Sequence, residues 1–211
     1  MLRALIVDAQ AVLRRGLVEL LTDEFPGVQV TEAQTARQAL ACSCQGEWGL
    51  IILDLDLPDR SGLDLLGDVR SCCPRTPLLV LSASAEAEYA KRTLRSGAAG
   101  YVHKHAAAEE LVAAIRKVLA GGIYIDSGLA EKLASDLADN RKEAPHQRLT
   151  NREFQILRLI AAGGHIKEIA IQLSLSPKTI SAYRTRVLRK LALRSDADLA
   201  RYAVRHGLVE P

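Results

Sequence analysis

Nowhere in the 211 residues does an apolar run approach the ~20 residues that a helix needs to cross a bilayer. The opening MLRALIVDAQ reaches an acid at Asp8 before the core of a secretory signal can form. Together these absences predict a cytoplasmic protein with no membrane partner. No Gly-x-Gly-x-x-Gly follows the first apolar segment, which excludes the usual dinucleotide cradle. The four cysteines, Cys42, Cys44, Cys72 and Cys73, fit neither a Cys-x-x-Cys redox motif nor a zinc spacing. In a reducing cytosol they are expected to be free thiols. The alternative is a redox or metal response where the two pairs meet, because both lie near the ends of helices expected to be neighbours.

What is present describes a chain that folds. Apolar residues make up 48% and charged residues 25%, enough to build a core and normal for two ordinary domains. The net charge of +3 conceals an uneven distribution. Residues 1–122 hold 13 Lys and Arg against 15 acids, 123–144 hold 3 against 5, and 145–211 hold 12 against 5. A compact tail with such an excess of cations points to a polyanion, with nucleic acid first and an anionic membrane surface second.

Short apolar or β-branched segments stand at 2–7, 28–33, 49–53, 77–82 and 99–103. Apolar residues at helical spacing lie between them and after the last, as in Leu13, Leu17, Leu20 and Leu21, or Leu111, Ala114, Ile115 and Val118. Five βα repeats predict an α/β fold with a doubly wound parallel sheet, whose polar chemistry gathers at the carboxyl ends of the strands. Gly121-Gly122 closes the last helix, so this domain is assigned to residues 1–122. A strand-like stub from Ile123, a helix begun at Asp126 or Ser127, and the polar run DNRKEAPHQ make 123–147 the linker. Residues 148–211 read as all-α, with four helices. Thr150 and Glu153 form a capping-box pattern, Ser176-Pro177 opens a third helix, and Ser195 can cap a fourth. The two short helices on either side of Leu173 to Ser176 have helix-turn-helix proportions.

Asp8 and Asp54 directly follow the first and third strands, Ser82 ends the fourth, and Lys104 follows the fifth. Strand order would bring two carboxylates, a hydroxyl and an ammonium to one rim. That inventory suits a hard divalent cation and a phosphoryl group, with a carboxylate as nucleophile.

The runs LIVDAQAVLRRGL, IILDLDLPDRSGLDLL, LVLSAS and GAAGYVHKHA resemble the receiver domain of bacterial response regulators over about the first 120 residues. The resemblance implies Asp54 as the phospho-acceptor, Ser82 as the switch hydroxyl, Tyr101 as the aromatic that moves with it and Lys104 as the charge partner. It also implies magnesium, held by Asp8, Asp54 and the backbone carbonyl of Asp56, with a sensor histidine kinase as phosphodonor, and it gives Pro58 and Gly62 the shaping of the loop. One position departs. Receivers usually carry a second acid after Asp8, and here stands Ala9, which should weaken magnesium binding by about an order of magnitude or more. A receiver that signals without phosphate is therefore the alternative. Asp54-Leu55-Asp56 also resembles the nucleophile motif of haloacid-dehalogenase-type phosphatases, but Leu57 follows it and the later acids Glu109-Glu110 fall within a helix. A non-enzymatic regulator is expected.

In the tail, Lys178, Arg184, Arg186, Arg189 and Lys190 occupy thirteen residues without an acid. One-sign charge on a helix suggests a rod seated in a duplex groove. The run LTNREFQILRLIAAGGHIKEIAIQLSLSPKTISAYRTRVLRKL resembles the LuxR-type helix-turn-helix, which places the chain in the NarL/FixJ class. Its ending, SDADLARYAVRHGL, is similar to the branch of GacA and UvrY global regulators. By that resemblance Lys178, Thr179, Arg184 and Lys190 hold the DNA backbone, while Ser181, Ala182 and Thr185 face base edges. A homodimer on two half-sites of double-stranded DNA is expected, with Leu199, Tyr202 and Ala203 either forming the dimer contact or packing on the domain core.

Overall fold

The structure is a computed structural model that describes residues 1–83, 87–138 and 144–209. It separates into two compact units, 1–133 and 134–211.

The first unit alternates β1 (Arg3–Val7), α1 (Ala11–Glu24), β2 (Gln29–Ala33), α2 (Ala36–Gln45), β3 (Leu50–Asp54), α3 (Gly62–Cys72), β4 (Leu78–Ser82), α4 (Ala87–Arg95), β5 (Gly100–His103) and α5 (Ala108–Leu119). β6 (Tyr124–Ile125) and α6 (Ser127–Ala138) follow. The strands run parallel in the order β2-β1-β3-β4-β5-β6. Every residue of β3 and β4 is buried, as near-continuous apolar strands covered on both faces must be. On one face Ala4, Ile6, Leu50, Ile52, Leu79 and Leu81 meet Leu17 and Leu21 of α1 and Ala114, Ile115 and Val118 of α5. Each such Leu or Ile contributes about 1.5–3 kcal/mol by leaving water. α2, α3 and α4 lie against the strands from the other side.

Two expectations change. The five-repeat sheet gains a sixth strand, because Tyr124 and Ile125, assigned to the linker, pair with Gly100 and Tyr101. The cysteines are not all free thiols: Cys44 at the end of α2 and Cys72 at the end of α3 form a disulfide, while Cys42 and Cys73 remain free. The packing of α2 on α3 is what brings those ends together. Of the expected linker, residues 139–143 lie outside the described residues.

The second unit begins its described structure with a 3-10 turn, Pro145–Arg148, followed by α7 (Asn151–Ala161), α8 (Ile166–Gln172), α9 (Pro177–Lys190) and α10 (Asp196–Arg205). Its helix starts follow the capping patterns. The Thr150 hydroxyl accepts from Glu153 N and the Glu153 carboxylate accepts from Thr150 N, Ser195 and Asp198 repeat the exchange, and Ser176 accepts from Thr179 N ahead of Pro177. The turn between α8 and α9 takes Ser174 to a φ of 52°. Phe154, Leu157, Ile169, Ile180, Val187, Leu199 and Ala203 form the core. Leu199 and Ala203 are fully buried in the unit, with α10 packed on α7, so of the two roles open to them it is core packing that the structure displays.

Candidate phosphoryl-acceptor and nucleic-acid sites

Parallel register explains the convergence at the sheet rim. Val7 pairs with Leu53, so the next residues, Asp8 and Asp54, emerge side by side at the ends of β1 and β3. Both are buried, at 1% exposure. Lys104 comes from just beyond β5, two strands from β3 in the sheet order. Its Nζ lies 2.7 Å from Asp8 Oδ2 and 2.8 Å from Asp54 Oδ2, with the lysine side chain 7% exposed. Asp56 N donates to Asp54 Oδ1 at 3.0 Å, and Gln10 N donates to Asp8 Oδ1 at 2.7 Å.

Burial sets the electrostatics. Removal from water pushes Asp54 up to about 6, an effect that the bonds from Lys104 and Asp56 N reduce and the negative charge of Asp8 adds to. Burial alone would lower Lys104, but its contacts with Asp54 and Asp8 outweigh that and hold it above the ordinary lysine value. Two carboxylates against one ammonium leave one net negative charge at the rim.

A magnesium ion takes hard oxygen ligands in near-octahedral geometry. Asp8 Oδ2 is buried against the Lys104 ammonium at 2.7 Å, so a cation taking that oxygen would have to share it with or displace the lysine. Position 9 supplies no oxygen from its side chain, and α1 has no acid in its first turn. Among the described residues, no group of three or more His, Cys, Asp and Glu side chains could hold a metal. Asp8, Asp54 and the Asp56 carbonyl are oxygen donors of the kind a hard cation takes, with the Lys104 ammonium already against both carboxylates.

The loop that carries Asp56 is held from several sides. Gly62 packs so closely that a Cβ there would stand 2.4 Å from Leu55 Cα and 2.5 Å from the Asp54 carbonyl. Asp59 accepts from Ala36 N at 2.8 Å and Arg37 N at 3.0 Å, which caps α2 from the acceptor loop. Arg14, 5% exposed, donates to the Asp8 carbonyl at 2.9 Å and pairs with Glu32 at 2.9 Å. Arg14 and Asp59 were not among the sequence candidates. Ser82 and Tyr101 are both buried; Ser82 stands on β4, next to the acceptor strand, and Tyr101 one strand further, on β5, where it pairs with Val80. The Asp56 side chain is exposed and the Asp56–Ser61 bridge closes the loop.

In the second unit the residues expected to face DNA lie along α9, but their charges are engaged differently. Lys178, Ala182, Thr185, Arg186 and Arg189 are exposed. Arg184 Nε pairs with Asp196 Oδ1 at 2.6 Å, and Arg186 stacks over the Tyr183 ring at 5.3 Å. Lys190, exposed on the helix surface, donates to buried Glu153 at 2.6 Å. Glu153 is pulled below the usual carboxylate value: burial would raise it, but the bonds from Lys190 and Thr150 prevail. The Ser181 hydroxyl donates to Pro177 O at 2.9 Å and Thr185 to Ser181 O at 3.0 Å, while Thr179 and Ser176 share a bond of 2.7 Å.

Residues 4–116 match the model of the response regulator receiver domain, and residues 147–203 match that of the bacterial regulatory proteins of the luxR family. This chain belongs to the LuxR-family response regulators. It is similar to the response regulator UvrY of Escherichia coli K12, with 33% identity over 99% of this chain and 96% of that one. Response regulator GacA of Pseudomonas aeruginosa is 34% identical over 100% and 99%. Among solved structures, a LuxR-family two-component response regulator from Aurantimonas gives a TM-score of 0.60 at 27% identity, covering 64% of this chain and 97% of that chain. RcsB of Salmonella enterica serovar Typhimurium, solved on a promoter, gives 0.67 at 24% identity over 95% and 97%, a likeness of fold. Asp8 is followed by Ala9, where the resemblance leads one to expect a second acid.

Proposed function

We propose that this response regulator is a cytoplasmic transcription regulator whose receiver, residues 1–122, accepts a phosphoryl group on Asp54 and thereby controls DNA binding by residues 148–211. The connecting 123–147 transmits the change. The observation that carries this reading is the buried Asp8–Lys104–Asp54 bridge, a nucleophile and its charge partner held ready at one rim. Asp54 attacks the phosphorus of a phosphohistidine on a sensor kinase, and the bond to the imidazole nitrogen breaks with its electron pair leaving on the ring. Lys104 then neutralises oxygen charge on the transferred group, and Ser82 and Tyr101 respond to it, shifting the population between surfaces. Asp8, Asp54 and the Asp56 carbonyl would hold magnesium, which supplies further neutralisation when bound.

For DNA, Lys178, Thr179 and Arg184 serve the phosphate backbone, with Arg186 and Arg189 as additional exposed cations. Lys190 acts from its bond to Glu153, fixing the end of α9 and lending its half-exposed charge to the phosphates. Ser181, Ala182 and Thr185 face base edges. Because Ser181 and Thr185 spend their protons on backbone carbonyls, they offer acceptor lone pairs, suited to the amino groups of cytosine and adenine. A homodimer on two half-sites supplies the affinity that one small module lacks.

A specific observation favours a second reading. With Ala9 in place of an acid, Lys104 bridges both carboxylates by itself, so the receiver can hold its shape without metal or phosphate. Purified protein is mixed with magnesium and a small phosphodonor. An acid-labile adduct on Asp54, lost in Asp54→Asn, supports the first reading; no adduct, with intact DNA binding, supports the second. Rapid multiple turnover of the donor sinks both in favour of a phosphatase.

A further inference from the structure

A second chemical site lies at the opposite ends of the helices that flank the acceptor loop. Four cysteines in two close pairs meet where α2 and α3 end: Cys42 and Cys44 on one helix, Cys72 and Cys73 on and just after the other. Their environments differ. Cys73 is buried, donates its thiol to the Ser43 carbonyl at 3.1 Å, and is held protonated by that burial. Cys42 is partly covered and unbonded to another sulfur. Cys44 and Cys72 are the two exposed members, with Cα atoms 5.1 Å apart, inside the range that a disulfide spans without moving the backbone.

We infer that Cys44 and Cys72 form a reversible redox modification site, oxidised by hydroperoxides and reset by low-molecular-weight thiols. One thiolate attacks the peroxide oxygen, the O–O bond breaks, and a sulfenic acid forms as the alcohol or water leaves. The second thiol attacks that sulfur and expels water. Two thiols and one hydroperoxide thus become one disulfide, one alcohol (water in the case of hydrogen peroxide) and one water. In the return step two equivalents of small thiol are oxidised to their own disulfide, and both cysteine thiols are restored. The exposed position of both residues admits oxidant and reductant alike, which a disulfide buried in a core would not.

The position gives the modification something to act on. The cross-link spans 28 residues, enclosing β3, Asp54, the Asp56–Ser61 loop and α3. Asp59 already fastens that loop to the start of α2, so oxidation would secure α2 to the acceptor segment at both of its ends. Nothing in this chemistry requires phosphate, magnesium or DNA.

The test uses the full chain, reduced, freed of reductant, treated with hydrogen peroxide and then alkylated. Tryptic peptides 38–60 and 71–75 carry the two cysteine pairs. The expected result is a linked product two hydrogens lighter than the sum of the two peptides, with fragment ions placing the bridge on Cys44 and Cys72 and alkyl groups on Cys42 and Cys73. Reduced glutathione should return four alkylatable thiols. Oxidation should raise the melting temperature of the first unit by about 5–15 °C. Cys44→Ser should abolish both link and shift, Cys42→Ala should keep both, and Asp54→Asn should oxidise like the parent, which separates this site from the acceptor chemistry. Four alkylated thiols after peroxide, a bridge through Cys42 or Cys73, or linkage only between copies would overturn the inference.

Discussion

The first unit buries the charges of its candidate site, and the second displays most of its own. Asp8, Asp54 and Lys104 are almost wholly withdrawn from water and answer chiefly to one another. Along α9, Lys178, Arg186 and Arg189 stand in solvent, where an ion pair is worth little until a polyanion arrives. The same residue types therefore serve opposite ends. Buried, they store a coupled arrangement that one added charge can change; exposed, they advertise a field that a duplex can feel at distance.

The sharpest way to break this contrast is at Lys104. Lys104→Met leaves two buried carboxylates without a counter-charge, and the first unit should lose about 3–5 kcal/mol in urea unfolding at neutral pH. The loss should shrink as pH falls, because Asp54 of the variant, without the lysine that lowers its pKa, takes up a proton more readily than in the parent. A surface-sized loss of a few tenths of a kcal/mol would show that the bridge does not govern the rim. Gly62→Ala should cost about 1–3 kcal/mol by forcing backbone atoms apart, again in the first unit's transition.

Acidity sharpens the comparison, because the two units should respond with opposite signs. Folding raises Asp54, so the native state holds its proton more tightly than the unfolded chain. The Asp54 contribution to stability therefore declines as pH rises from the ordinary carboxylate range to about 6 and is constant above. Asp54→Asn should accordingly stabilise the first unit at neutral pH by about 1–3 kcal/mol. Folding lowers Glu153, so its contribution is complete above the ordinary glutamate value and is lost as pH falls through the depressed native value. Glu153→Gln should weaken the second unit at neutral pH by about 1–2 kcal/mol and make its melting less sensitive to acid. Melting curves of both units from pH 3 to 8 check the signs; parallel trends would refute the contrast. Phosphoryl uptake from a small donor should also decline below pH about 6, as the nucleophilic carboxylate is titrated away.

The smallest effects belong to the exposed surface. Lys178→Ala should weaken binding to every duplex alike and reduce the salt slope by about 0.9. Thr185→Ala should leave that slope unchanged and reduce discrimination between sequences by about 1 kcal/mol. Titrations of specific and random duplexes at several salt concentrations distinguish the two, and a sequence-selective loss at Lys178 would reverse their assignments.

Much of this was legible in the chain. Alternating apolar strands and amphipathic helices named the fold class, and Asp8, Asp54 and Lys104 could be placed at one rim because parallel strands all deliver their next residue to the same end. Thr150, Ser176 and Ser195 announced helix starts through local bonds that need no tertiary knowledge. What stayed hidden depends on distant partners. Arg14 reads as one of two surface cations until Glu32 closes on it, Asp59 as a loop acid until α2 presents its amides, and Lys190 as a free cation until Glu153 meets it across 37 residues. Cys44 and Cys72 were visible as neighbours by helix order, but bonding needs the register of one helix end against the other, which periodicity does not carry.

The two-residue strand β6 has a mechanical meaning beyond its size. Tyr124 and Ile125 are laced onto Gly100 and Tyr101, three to four residues before Lys104 on the same stretch of chain. The stretch that leads into α6 is thus sewn to the strand that bears the aromatic and leads to the ammonium. A sideways slip of β5 would tug the seam directly, with no helix standing between the pull and its first effect.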